Sequence, residues 1–121
     1  MSKKLLLAKQ GEIWLTEFPP SKEARKPIRP VLVISGNTQN ECDQWIVVVP
    51  ITTEDTENTE PFEVYIKNTK ETGLDYPSKI QFIYPFTIDR ERLKEHLGKA
   101  NREIMKKAKK AWEIAFDIEN W

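Results

Sequence analysis

The chain has 121 residues, 39% apolar and 31% charged, and its 19 basic and 19 acidic side chains cancel to zero net charge. That size suits one domain with a single core, and the composition fits neither a disordered nor a membrane-embedded chain. Zero net charge gives no global attraction to nucleic acid, a lone Cys42 allows no internal disulfide, and no apolar run is long enough to span a bilayer.

The N-terminal "MSKKLLLAKQGE" has lysines and a short apolar patch but neither a signal-type apolar region nor a cleavage site. The chain therefore reads as cytoplasmic, with residues 1–9 as a flexible extension of one domain spanning 1–121. "GEIWLTEF" (11–18) alternates Ile13 and Leu15 with Glu12 and Thr16, the period of a half-buried strand. Pro19 and Pro20 open a basic connection, 19–28, carrying Lys22, Arg25 and Lys26 against Glu23. "RPVLVIS" (29–35) is the second predicted strand, and "QWIVVVPIT" (44–52), continuously apolar, suits a strand buried on both faces. An acidic stretch follows, with Glu54, Asp55, Glu57, Glu60 and Glu63 and no cation. "PFEVYIK" (61–67) alternates again. "SKIQFIYPF" (78–86) is a fifth strand ending at Pro85, which cannot donate to a ladder. "EHLGKA" (95–100) makes a short sixth.

Five or six short strands within about 90 residues predict a small, strongly bent sheet or barrel. At Asn101 the period changes. Asn101 can cap a helix whose first turn carries Glu103. Ile104, Ala108, Ala111 or Trp112, and Ala115 then recur at helical spacing. The fold class is mainly β with one C-terminal amphipathic helix. Lys106, Lys107, Lys109 and Lys110 on that helix read as a solvated face, with RNA contact as the alternative.

The sequence holds no Gly-rich phosphate loop, no HExxH and no Cys/His set for zinc, so neither cofactor nor metal is expected. A single histidine, His96, excludes a two-imidazole mechanism within one subunit and reads as a surface or packing residue. Cys42 reads as a thiol beside a turn rather than a nucleophile. What remains is Arg29, held extended by Pro30, and Thr52, at the end of the third strand. If those strands are neighbours, a five-donor cation and a hydroxyl meet at one rim, a pair suited to a phosphodiester. The competing reading pairs Arg29 with Glu12 or Glu54 and leaves Thr52 as a turn cap.

"GEIWLTEF", "RPVLVIS", "VVVPIT", and "TIDRERL" with "EHLGKANREIM", in that order, resemble the MazF/PemK toxin family. The resemblance covers the chain from Gly11 to the final helix. It implies an SH3-like antiparallel β-barrel of the MazF/PemK/CcdB type with a C-terminal helix. It also implies a homodimer, a cognate antitoxin, and metal-independent cleavage of single-stranded RNA at short sequences. Carried over by position, it implies catalytic roles for Arg29 and Thr52 and matches Glu12 to the acidic residue of "GEIW", here the candidate general base. RNA contacts are expected from Arg25, Lys26, Thr53, Phe62, Gln81 and Tyr84, with Phe18 as a further stacking surface. The fifth strand departs from the family. Gln81 stands where Kid-like members have a catalytic arginine, Ile83 where they have an acid, Tyr84 where a glutamine is usual, and Phe86 where an arginine precedes "TID". The rival reading is a catalytically degenerate RNA- or protein-binding module, with Tyr84-Pro85-Phe86 as an apolar patch. A CcdB-like action on gyrase is a weaker alternative.

Overall fold

The computed structural model describes residues 8–18 and 28–121. Its strands are β1 (Glu12–Glu17), β2 (Ile28–Val33), β3 (Trp45–Thr52), β4 (Glu63–Ile66), β5 (Ser78–Gln81), β6 (Phe86–Asp89) and β7 (Leu93–Lys99). Two helices join them, α1 (Asn37–Cys42) and α2 (Arg102–Ala115). The antiparallel sheet runs β4-β5-β3-β2-β1-β7, with β6 also on β3. The fifth predicted strand is thus two strands. β6 pairs with Trp45–Val48 and β5 with Ile51 and Thr52, so both lie along one edge of β3, end to end. The break comes at Phe82–Pro85, where the chain turns outward.

The hydrogen-bonded path is open between β4 and β7, and the turn after β4 bridges the gap. Lys99 N donates to Glu71 O at 2.9 Å. This approach is close enough to require glycine. A Cβ on Gly98 would lie 2.2 Å from Glu71 O, and one on Gly73, at φ +71°, would lie 1.9 Å from Leu97 O. The result is the barrel-like, mainly antiparallel β fold with a C-terminal helix that the sequence predicts.

The sheet is buried on both faces, which accounts for the uninterrupted apolar run of β3. Ile13, Leu32, Val49, Ile51, Val64, Ile80 and Phe82 form one cluster, covered by Ala108 and Ala111 of α2. Trp14, Phe18, Val31, Val33, Ile46, Val48 and Ile88 form the other. Asn101 caps α2 as expected, its Oδ1 accepting from Ile104 N at 2.9 Å, and the four lysines of that helix are exposed. α1, which no periodicity marked, is anchored by buried Asn40 and by the buried Arg90 guanidinium, which donates to the carbonyls of Asn40 and Asp43. Residues 1–7 of the expected extension lie outside the described residues, but Ala8 is packed in the second cluster. The basic connection lies outside them as well, apart from Ile28, which begins β2. No described helix is long and apolar enough to cross a membrane.

Candidate active site

β2 and β3 are neighbours, paired Val33↔Val48, Leu32↔Val49 and Val31↔Pro50. The same register carried two residues further sets Arg29 across from Thr52. Side chains alternate between faces, so both lie on the face of Val31 and Val33 rather than that of Leu32. Two prolines, Pro30 and Pro50, sit at this end of the ladder and contribute no N–H. The strands end there, and the rim they leave carries the Arg29 side chain and the Thr52 hydroxyl.

Arg29 is half-buried and makes no hydrogen bond or ion pair with any described residue. The alternatives that paired it with Glu12 or Glu54 are therefore not realised. Its side chain lies against an aromatic ring: Cζ is 5.7 Å from the centroid of Phe18. Phe18 in turn packs on Phe86, ring centroids 5.1 Å apart. Phe86 pairs with Val48 across β3 and β6 and remains 42% exposed. An apolar ring against a guanidinium limits its orientations without consuming any of its five donors. Thr52 Oγ1 accepts from Glu54 N at 3.1 Å. The turn-cap reading is thus correct as far as it goes, and it leaves the hydroxyl hydrogen free to donate outward.

Glu12 is not part of this group, and its assignment as general base is corrected. The β1–β2 register sets Thr16, not Glu12, opposite Arg29. Glu12 is four residues further along β1, about 13 Å away. Its carboxylate is occupied as well: Oε1 accepts from Lys9 N (2.7 Å) and Trp14 Nε1 (3.2 Å), and Oε2 lies 3.2 Å from His96 Nε2. His96 also packs edge-on against Trp14, at 5.2 Å. This histidine belongs to the architecture of the β1–β7 pair.

The expected RNA-contact residues divide. Arg25 and Lys26 fall outside the described residues. Thr53 is exposed immediately after Thr52. Gln81 is half-buried at the end of β5 and shares the outer face of that strand with Lys79, which pairs directly with Thr52. Tyr84 is 51% exposed in the β5–β6 connection. Phe62 is half-buried before β4, its carbonyl accepting from Phe82 N at 3.4 Å.

Lys79 was not anticipated. Its Nζ is buried 3.1 Å from Glu63 Oε1 and 3.0 Å from Asn58 O, so it fastens the acidic β3–β4 loop beside Thr52. Strand alternation alone could have placed it opposite the core face of Ile80. Cys42 is exposed at the last residue of α1. An open, mainly apolar cleft between α2 and the sheet, lined by Ile34, Phe82, Met105 and Trp112 with Gln10 and Lys109 beside them, lies on the opposite core face. Among the described residues, no three His, Cys, Asp or Glu side chains cluster as metal ligands.

A family model described as the PemK-like, MazF-like toxin of type II toxin-antitoxin systems matches residues 9–116. A protein named endoribonuclease MazF, from Staphylococcus saprophyticus, is 28% identical over 113 residues, covering 93% of either chain. An endoribonuclease solved with its cognate antitoxin, from a Mycobacterial species, superposes with a TM-score of 0.76 at 19% identity, covering 92% of this chain and 96% of that one. The Mycobacterium tuberculosis toxin MazF-mt6 gives 0.74 at 23% identity, covering 88% and 96%.

Proposed function

The chain belongs to the PemK-like, MazF-like toxins of type II toxin-antitoxin systems, and from that premise we propose that it is an endoribonuclease cleaving single-stranded RNA, with Arg29 and Thr52 at its catalytic centre. The observation that carries the reading is Arg29: a half-buried guanidinium with no anionic partner among the described residues, set across from a hydroxyl with a free hydrogen. A partly desolvated cation without a counter-charge suits an anionic ligand.

In this reading the 2′-hydroxyl of the RNA attacks the adjacent phosphorus, and the bond to the 5′-oxygen breaks. The products are a 2′,3′-cyclic phosphate and a 5′-hydroxyl. The nucleophile belongs to the substrate, so the protein must position the phosphate and stabilise the charge that builds on the phosphorane oxygens. Arg29 supplies that stabilisation through its fork of N–H groups, and Thr52 donates to a non-bridging oxygen. Arginine stays protonated at ordinary pH, so it serves as charge stabiliser or acid rather than base. Thr53, Gln81 and Tyr84 border the site and take the flanking nucleotides, Tyr84 by stacking. Arg25 and Lys26 remain candidates for backbone phosphates. Incubating the purified protein with a long mixed-sequence RNA, with and without a chelator, tests this. Fragments with 5′-hydroxyl ends in both conditions support it, and intact RNA refutes it.

A structural relative solved in complex with its cognate antitoxin supports an antitoxin as partner, and in this reading that antitoxin covers the Arg29–Thr52 surface and the chain pairs with a second copy of itself. The exposed side chains Ile83, Tyr84 and Phe86 make the β5–β6 connection the apolar part of that surface. They also favour the alternative of a protein-binding module without catalysis, which predicts antitoxin binding but no RNA cleavage. The compartment is the cytoplasm, where such RNA is found.

A further inference from the structure

Directly across the β1–β2 ladder from Arg29 stands Thr16, and it is fully buried. Sequence alternation marked it as a polar position on a half-buried strand. Both faces of β1 are covered, however, and Thr16 lies on the face of Trp14 and Phe18. Its Oγ1 finds no hydrogen-bond partner among the described residues, and neither does Arg29 Nε, which is equally inaccessible to solvent. Folded proteins leave few buried polar atoms unsatisfied, so two on facing residues at a catalytic arginine call for a cause. Facing residues in an antiparallel ladder bring their Cβ atoms to about 5 Å and send their side chains to the same face, so the two buried polar atoms belong to one neighbourhood.

We propose that Thr16 is a positioning residue for Arg29: its hydroxyl and the guanidinium Nε–H share one buried water, which fixes the rotation of the guanidinium about Cδ–Nε. The chemistry is complementary. Nε–H can only donate, a hydroxyl can donate or accept, and a water can take the first bond and complete the second. The Phe18 ring restrains the guanidinium by packing, and the Thr16 water fixes its roll by hydrogen bonding. Both Nη groups then remain for the phosphate. Rotational disorder would weaken a bidentate contact in the transition state more than it would weaken general RNA binding. The inference rests on the reading of Arg29 as the phosphate-stabilising group, and its test includes a readout that needs no RNA.

The variants are Thr16→Val, which keeps the shape and removes the hydroxyl, Thr16→Ser, which keeps the hydroxyl, and Thr16→Ala, used if valine does not fold. Thr16→Val should lower kcat by about 2–13-fold, the range for losing one modest hydrogen bond, with KM little changed. Thr16→Ser should retain most activity. Added to Arg29→Lys, which lacks Nε, Thr16→Val should cause no further loss. In RNA-free protein with 15N-labelled arginine, the Arg29 Nε–H signal should be protected from solvent exchange in the unsubstituted chain and in Thr16→Ser, and lose that protection in Thr16→Val. Unchanged kcat together with unchanged exchange in Thr16→Val, or Thr16→Ala, overturns the proposal. Loss of exchange protection in a protein that cleaves no RNA sustains it and refutes the ribonuclease reading instead.

Discussion

Replacing Lys79 by methionine should cost this fold more than any surface charge would. The Lys79–Glu63 pair is 3.1 Å apart, with side-chain exposures of 7% and 6%. At an effective dielectric near 20 the attraction at that distance is about 5 kcal/mol, most of it offset by desolvation of the two ions. What matters in the variant is the residue left behind: Glu63 would keep a buried carboxylate without its cation. Breaking one partner of such a pair costs about 3–5 kcal/mol. For a chain of this size that is a fall in Tm of about 10–25 °C. Lys79 Nζ also holds Asn58 O, so the β3–β4 loop beside Thr52 should loosen at the same time. Thermal and urea melts of Lys79→Met, Glu63→Leu and the double variant measure this. The double variant should recover most of the loss, because no unpaired charge remains. A loss below about 1 kcal/mol, the value of an exposed pair, or a double variant as unstable as the two single losses combined, would refute the reasoning.

Gly98→Ala should prevent β7 from closing on the 69–73 turn, since the added carbon meets backbone 2.2 Å away; a Tm within a few degrees of the parent would contradict this. Asn101→Ala removes the acceptor for Ile104 N and should destabilise by about 1 kcal/mol in a urea melt. The Glu91 backbone N–H, seconded by the Gln44 side chain, holds the Asp89 carboxyl below its ordinary pKa. The Trp45 N–H does the same for Asp43. A folded-state pKa below the unfolded one gives stability that is complete above about pH 4 and is lost as pH falls through the lowered value. Tm should therefore drop on acidification in that range, and Asp89→Asn should flatten the drop; an identical pH profile in the variant would be contrary.

Much of the fold was legible because strand periods and turn residues agreed. β1, β2 and β3 followed from apolar pattern, and α2 from its cap at Asn101 and the stripe through Ala108 and Ala111. The division into β5 and β6 was not legible: a proline ends pairing, but no period says that the chain rejoins the same strand two turns of ladder away. α1 has no apolar stripe and depends on Arg90, which reads in "TIDRERL" as one more surface charge and is 2% exposed. The meeting of Arg29 and Thr52 at one rim was legible on the condition that their strands are neighbours, which the β2–β3 register meets; the roles given to them rested on the family resemblance. Glu12 misled because sequence places it on the neighbouring strand without saying toward which end of the barrel it points. The burial of Thr16 was not legible because alternation marks a polar position and cannot say that its face is covered by a second core.

The central claim is that Arg29 and Thr52 act together on one phosphate. The most direct test is the cleavage rate of a single-stranded RNA by Arg29→Ala and Thr52→Val proteins whose melts match the parent. Loss of one such preorganised donor should reduce the rate by about 10²–10³-fold, and the double variant should lose less than the two effects multiplied, since both bind the same group. Cleavage by Arg29→Ala at the parent rate would contradict the claim outright.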